Sequence, residues 1–194
     1  WVLRNARIAA DLGFRTWITD DGWFIDKGQF ADYSRVGDWL PCEAKFPNFK
    51  DHVSAIQGLG FRYVLWVAPF MVGEASEAAR QYRHLLTMGQ RRERFNNLSP
   101  WHGETREIVV SLLARLVENY HLDGLKIDFI DAISVHSERP KGASSATLGE
   151  SIYEILRSAA EQLLALNPGL LIEFRNSYAN LASRRYANVF RSGD

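Results

Sequence analysis

The sequence predicts an α/β fold of the (β/α)8 TIM barrel type, with about five of the strands in this chain. Three observations predict it. Short β-branched and aromatic runs alternate with longer stretches of helical periodicity, the pattern of βαβ units on a parallel sheet. No glycine-rich phosphate loop follows any strand, which disfavours the open doubly wound sheet of nucleotide-binding proteins. Polar residues collect at the C-terminal ends of the strands, where barrels place their catalytic groups. They are Asp20 and Asp21, the region after Trp66, Lys126 and Asp128, Glu173 and Arg175, and Asp194.

Trp1, Ile8, Ala9 and Leu12 recur at helical spacing, and Gly13 is a natural stop. "FRTWIT" (14–19) reads as a strand ending at Asp20-Asp21-Gly22. A long polar loop runs through "GDW" (37–39) to "KFPNF" (45–49), and a helix over about 48–57 ends near Gly58. "RYVLWVA" (62–68) is the second strand, stopped by Pro69. Helical stretches are expected over 75–88 and 103–120, and "GLKIDFI" (124–130) is the third strand. A long amphipathic helix over 145–166 ends at Asn167-Pro168-Gly169. "LLIEFRN" (170–176) is the fourth strand, and a short helix near 180–186 leads to "NVFRS" (188–192), the fifth. The chain starts at Trp1 already in helical periodicity and stops at Asp194 just past a strand, so it reads as an excerpt whose missing strands lie in flanking sequence.

The composition is that of a globular protein, with 46% hydrophobic and 24% charged residues. The 23 basic and 23 acidic residues balance, so neither a nucleic-acid surface nor a polybasic membrane anchor is expected. No apolar run approaches the roughly 20 residues of a membrane helix. Cys42 is the single cysteine, which excludes a disulfide within the chain and a cysteine metal site. The five histidines show no metal-ligand spacing, and no metal or cofactor is expected.

Lys126 and Asp128 stand two residues apart in an apolar strand and so share a face. Burying both costs several kcal/mol unless they are paired or functional (roughly,). Asp194 ends the fifth strand, two strands further round, which puts the backbones of 128 and 194 roughly 8–10 Å apart. Carboxyls about 5–5.5 Å apart suit a retaining glycosidase, and about 6.5–9.5 Å an inverting one. In that chemistry Asp128, beside the Lys126 ammonium, is the ionised nucleophile, and Asp194 in the "SGD" loop is the proton donor and later the base. The plainer reading is a structural ion pair at Lys126–Asp128, a loop acid at Asp194, a turn at Asp20-Asp21-Gly22, and core packing for Trp17, Trp23, Trp66 and Trp101. Trp66, just before Pro69, is the best candidate among these tryptophans for a site residue.

"DDGWF" (20–24), "GDW" (37–39), "KFP" (45–47), "LWVAPFMV" (65–72), "GLKIDF" (124–129) and the terminal "RSGD" occur in that order. In this the chain resembles the melibiase-type α-galactosidases, glycoside hydrolase family 36, in one clan with families 27 and 31. The resemblance implies that residues 1–194 are part of the catalytic barrel of a longer glycosidase. It implies a retaining α-galactosidase that works through a glycosyl-aspartate, on an oligosaccharide or other glycoside. By resemblance Asp128 is the nucleophile and Asp194 the general acid/base. Asp20 and Asp21 bind the galactose 4- and 6-hydroxyls, Trp39 lines the sugar site, and Lys126 contacts hydroxyls beside the nucleophile. The chain departs from the family at Phe70, where a glutamate is usual, at Ile127, where "KWD" has become "KID", and at "IEFRNSY" (172–178), which replaces a Cys- and Gly-rich segment. Arg175 is expected to take over a hydroxyl or carboxylate contact there, with Asp131 and Glu173 as supporting acids. One of Arg91, Arg92 and Arg94 is a further candidate for the site. These departures leave open another α-glycosidase of the clan, acting on α-glucosides or α-xylosides, and a non-catalytic sugar-binding barrel. A Schiff-base aldolase with Lys126 as the amine is the competing enzyme class.

Overall fold

In chain order the elements are α1 (Val2–Asp11), β1 (Thr16–Thr19), α2 (Phe49–Gln57), β2 (Arg62–Val67), β3 (Met71–Gly73), α3 (Glu77–Gln81), β4 (Leu86–Thr87), β5 (Phe95–Leu98), α4 (Gly103–Tyr120), β6 (Gly124–Ile127), α5 (Leu148–Leu166), β7 (Leu171–Arg175) and β8 (Val189–Arg191). The structure is a computed structural model, and it describes residues 1–25, 33–87, 94–133, 139, 141–143, 147–175 and 178–192. Single 3-10 turns follow α3 and β6 and precede β8.

Five strands pair in parallel in the order β1-β2-β6-β7-β8. This order follows the chain without reversal. A doubly wound sheet reverses direction at a switch point, so the winding is that of a barrel. Leu65, Leu125 and Ile172 are register neighbours on the outer face, all buried under the helices. There Val109, Leu113 and Leu116 of α4 and Ile155, Ala159 and Leu163 of α5 complete the core. Each fully buried branched side chain contributes about 1.5–3 kcal/mol. β2 is buried from Tyr63 to Val67, which is why it reads as an unbroken apolar run.

Capping chemistry sets the helix starts. Asn48 accepts the Asp51 N–H at the head of α2. Thr147 and Glu150 form a reciprocal capping box that starts α5 at Leu148, within the stretch where periodicity predicts the helix.

The helix expected over 75–88 is largely replaced. Among its described residues only α3 and one 3-10 turn are helical, and β4 follows within the same stretch. β3, β5 and β4 form an antiparallel sheet inserted between β2 and α4. The long loop after β1 is fastened to this sheet. Gly73 N–H donates to Val36 O and Ala75 N–H to Ser34 O, each at 2.7 Å. A Cβ at Gly73 would collide with the Tyr33–Ser34 backbone, so only glycine allows the crossing. Asp38 in that loop accepts the Glu77 and Ala78 N–H groups and so caps α3.

β6 and β7 also meet closely at a glycine. A Cβ on Gly124 would lie 2.6 Å from both Cβ and O of Leu171. Gly124→Ala is therefore expected to lower stability by about 1–3 kcal/mol, read as a reduced urea midpoint with an unchanged m-value.

Candidate active site

One mouth of the parallel sheet carries the charges. Trp66, Lys126 and Glu173 are register neighbours across β2, β6 and β7, on the face opposite Leu65, Leu125 and Ile172. Arg175 and Arg191 pair one step higher. Asp128 stands at that level just beyond β6, its N–H donating to Val67 O at 2.9 Å. Asp128 is 5% exposed, Lys126 7% and Glu173 6%, so these charges are built into the sheet.

Both Asp128 oxygens are engaged. Oδ1 accepts the Phe129 backbone N–H at 2.8 Å and lies 3.2 Å from Arg175 Nε. Oδ2 accepts the Trp66 indole N–H at 3.0 Å and lies 3.5 Å from Arg191 Nη2. The short contact from Phe129 exists because Phe129 is left-handed (φ 56°), an unusual state for a bulky residue that costs about 1–2 kcal/mol. Strand alternation predicts that Phe129 points to the helix layer. The left-handed turn instead brings its ring to Trp66 (6.1 Å) and under the Arg175 guanidinium (5.4 Å).

Each arginine has a second anion. Arg175 Nη2 donates to both oxygens of Asp131, at 2.7 and 2.8 Å. Arg191 Nε lies 3.2 Å from Glu173 Oε1. Lys126 donates to both oxygens of Asp20, at 2.7 and 3.0 Å. The expectation that Lys126 is the cation on Asp128 is thus corrected. Extending the β1–β2–β6 register puts Asp20 in the row of Lys126, and the long ammonium side chain reaches across β2 to it. Asp128 has Arg175 and Arg191 at its own level instead.

Five carboxylates (Asp20, Asp21, Asp128, Asp131, Glu173) face three cations (Lys126, Arg175, Arg191), an excess of two negative charges by count when all are ionised. Burial pushes the Asp21 carboxyl up, and its neighbours Asp20 and Asp128 add to this; hydrogen bonds from the Tyr33 side chain and the Gly22 backbone oppose it. Burial also raises the Glu173 carboxyl, with Lys126 and Arg191 acting against it. Burial likewise keeps the Tyr178 phenol protonated, and its O–H donates to Ile127 O at the end of β6.

The structure therefore brings Asp20, Trp66, Lys126, Asp128 and Arg175 to one mouth, with Lys126 bonded to Asp20, Trp66 and Arg175 in contact with Asp128, and Asp21 coupled to both groups by charge. Trp39 is 2% exposed and packs on Phe24 (5.0 Å) and Trp66 (5.9 Å), in the aromatic wall behind the indole that bonds Asp128. Trp23 belongs to the same wall, stacked on Phe49 and donating its indole N–H to Trp66 O. Phe70 is buried in the core. Arg94 pairs with Glu74 at 3.7 Å beside the antiparallel sheet. Asp194, Arg91 and Arg92 lie outside the described residues. Arg191 and Tyr33 are passed over in the sequence reading. For Arg191 a signal exists in the sequence, a cation inside the short apolar run "NVFRS", the same feature that marks Lys126.

The cluster can hold a buried carboxylate in one orientation beside an aromatic wall and present further carboxylates to hydroxyl groups. A Schiff base needs a neutral amine, and Lys126 is engaged by the Asp20 carboxylate. Among the described residues no group of three or more His, Cys, Asp or Glu is placed to hold a metal ion. No helix of the described residues is long and apolar enough to cross a membrane.

Known proteins share this architecture. A model of the melibiase family matches residues 2–164. An α-galactosidase of Escherichia coli is 36% identical over 81 residues, 41% of this chain and 11% of that protein. The probable α-galactosidase G of Aspergillus terreus is 25% identical over 215 aligned positions, 97% of this chain and 29% of that protein. Among solved structures, the α-galactosidase of Lactobacillus brevis superposes with a TM-score of 0.78 at 22% identity, covering 100% of this chain and 27% of that one. A variant of the Geobacillus stearothermophilus α-galactosidase AgaA in complex with raffinose gives a TM-score of 0.72 at 20% identity, covering 90% of this chain and 25% of that one. The fold is shared with these enzymes. The chain spans well under two thirds of the length of the relatives it matches.

The Glu173 carboxyl has its folded-state pKa above its ordinary 4.5. Its contribution to stability is therefore fully present below 4.5 and is lost as pH rises through the folded value. Glu173→Gln is expected to remove that loss. As pH rises above 4.5 the stability of the variant should fall less steeply than that of the native protein, by at most about 1.4 kcal/mol per pH unit, as read from urea midpoints along the pH series.

Proposed function

Because the chain belongs to the melibiase family, we propose that the protein is a glycoside hydrolase acting on α-galactosides, with retention of configuration and Asp128 as nucleophile. The observation that carries this is the Asp128 carboxylate, buried, oriented by three hydrogen-bond donors and the Arg175 ion pair, and set where a strand ends at the mouth of a barrel sheet. In the first step an Asp128 oxygen bonds to the anomeric carbon as the bond to the leaving oxygen breaks. Asp194 is assigned as the acid that protonates that oxygen. In the second step a water oxygen, giving its proton to Asp194, attacks the anomeric carbon and the ester bond to Asp128 breaks.

Asp20 and Asp21 are proposed to bind sugar hydroxyls, with Lys126 bridging from Asp20 toward the nucleophile and the Trp39–Trp66 wall supporting the pocket. Arg175 holds Asp128 and Asp131 together. Oligosaccharides are the proposed substrate class; raffinose and stachyose are bound by AgaA variants.

Residues 1–194 are further proposed to be part of the catalytic barrel of a longer glycosidase. Among the described residues the outer edges of β1 and β8 have no strand partner, and Phe14, Ile18 and Phe190 are exposed near those edges.

Asp128→Asn in the full-length protein is expected to cut aryl α-galactoside hydrolysis by several orders of magnitude, and a mechanism-based fluorosugar to label Asp128 on peptide mapping. An active Asn variant, or a label elsewhere, refutes the assignment. The 194-residue piece expressed alone is expected to be inactive and to self-associate through its edges; a monomeric, cooperatively melting piece in sedimentation and calorimetry contradicts the barrel proposal.

A further inference from the structure

Tyr33 stands in the long loop after β1, away from the strand ends that carry the charges, yet it is held at three points. Its backbone lies on the inserted sheet at Gly73, where a Cβ would collide with Tyr33 O. Its ring meets Phe95 of β5 edge-on at 5.9 Å and Phe129 at 5.5 Å. Its hydroxyl donates to the Asp21 carboxylate. Phe129 is the residue whose N–H holds Asp128. A single residue thus spans from the inserted sheet to Asp21 and to the turn beside Asp128. Asp21 is exposed at the mouth, so a hydroxyl of a bound solute can reach it.

Resting on the reading of Asp21 as a ligand of a sugar hydroxyl, we infer that Tyr33 is a positioning residue that holds the Asp21 carboxylate in one orientation toward the substrate, and that the inserted antiparallel sheet serves substrate recognition through it. Packing accounts for the ring of Tyr33, and a phenylalanine would fill that space as well. The hydroxyl is accounted for by Asp21. A carboxylate has about four acceptor positions. A phenol O–H on one of them fixes the rotation of the group and leaves the others aimed at a hydroxyl donor. Fixing the carboxylate beforehand removes an ordering cost from binding. The neighbouring charges do not supply this hold. Asp20 and Asp128 repel a charge on Asp21, while the Gly22 backbone and Tyr33 support it. Lys126 is directed to Asp20, and Lys45 donates to Gly22 O at 2.8 Å. The edge-on contacts with Phe95 and Phe129 in turn fix the plane of the phenol. Tyr33 acts through Asp21 in this scheme and bonds to no atom of the sugar.

The test is a double-mutant cycle on kcat/KM in the full-length protein, with a dinitrophenyl α-galactoside whose reactive leaving group keeps impaired variants measurable. Tyr33→Phe keeps the ring and is expected to lower kcat/KM about tenfold. In an Asp21→Ala background the same change should cost less than about twofold. A packing role alone gives equal losses in the two backgrounds, so equal losses overturn the inference, as does a Tyr33→Phe enzyme that matches the native one. If Tyr33→Phe does not fold, Phe95→Leu loosens the ring and leaves the hydroxyl in place. A loss of about threefold that disappears in the Asp21→Ala background then supports the inference; no loss, or one that persists there, overturns it. Asp21→Ala with native activity overturns the sugar-binding reading of Asp21 itself. An impaired Asp21→Ala enzyme beside a native-like Tyr33→Phe enzyme overturns only the role of Tyr33.

Discussion

A carboxylate stays charged inside a sheet only if donors replace the water it has lost, and Asp128 is where this chain meets that requirement. The surrounding features follow from it. Trp66 must turn its indole inward, Phe129 must adopt a left-handed backbone to supply its N–H, and two later strands must each end in an arginine. Those arginines also pair with Asp131 and Glu173. Much of the charge pattern of the mouth thus gathers round one side chain.

Much of the fold was readable because the parallel strands and main helices have lengths that periodicity can register. Helix α2 begins at its Asn48 cap, and α4 follows its apolar spacing. The antiparallel sheet was not readable, since β3, β4 and β5 have three, two and four residues. Runs that short carry no period, and the polar sequence before β4 is as compatible with a helix.

The candidate cluster, Asp194 apart, was readable as residues that come together but less so as a set of partners. Charges inside apolar strands pointed to Lys126, Asp128, Glu173 and Arg175, and all of them gather at one mouth. Which cation meets which anion depends on the register between strands far apart in sequence. Spacing within one strand made Lys126 the obvious mate for Asp128, whereas register gives Lys126 to Asp20 and brings Arg191 to Asp128. The turn at Phe129 was equally hidden, because no glycine or asparagine announces it.

The crossing of the β1–α2 loop over Gly73 ties two segments that look independent in sequence. The loop carries Trp39 and the cap of α3, and the inserted sheet supplies the seat it rests on. A loop taken from a relative to alter pocket shape would find no matching seat unless residues 71–98 came with it. The exchangeable unit for recombination in this protein is the loop and sheet together, and sequence changes in the two should track one another across relatives.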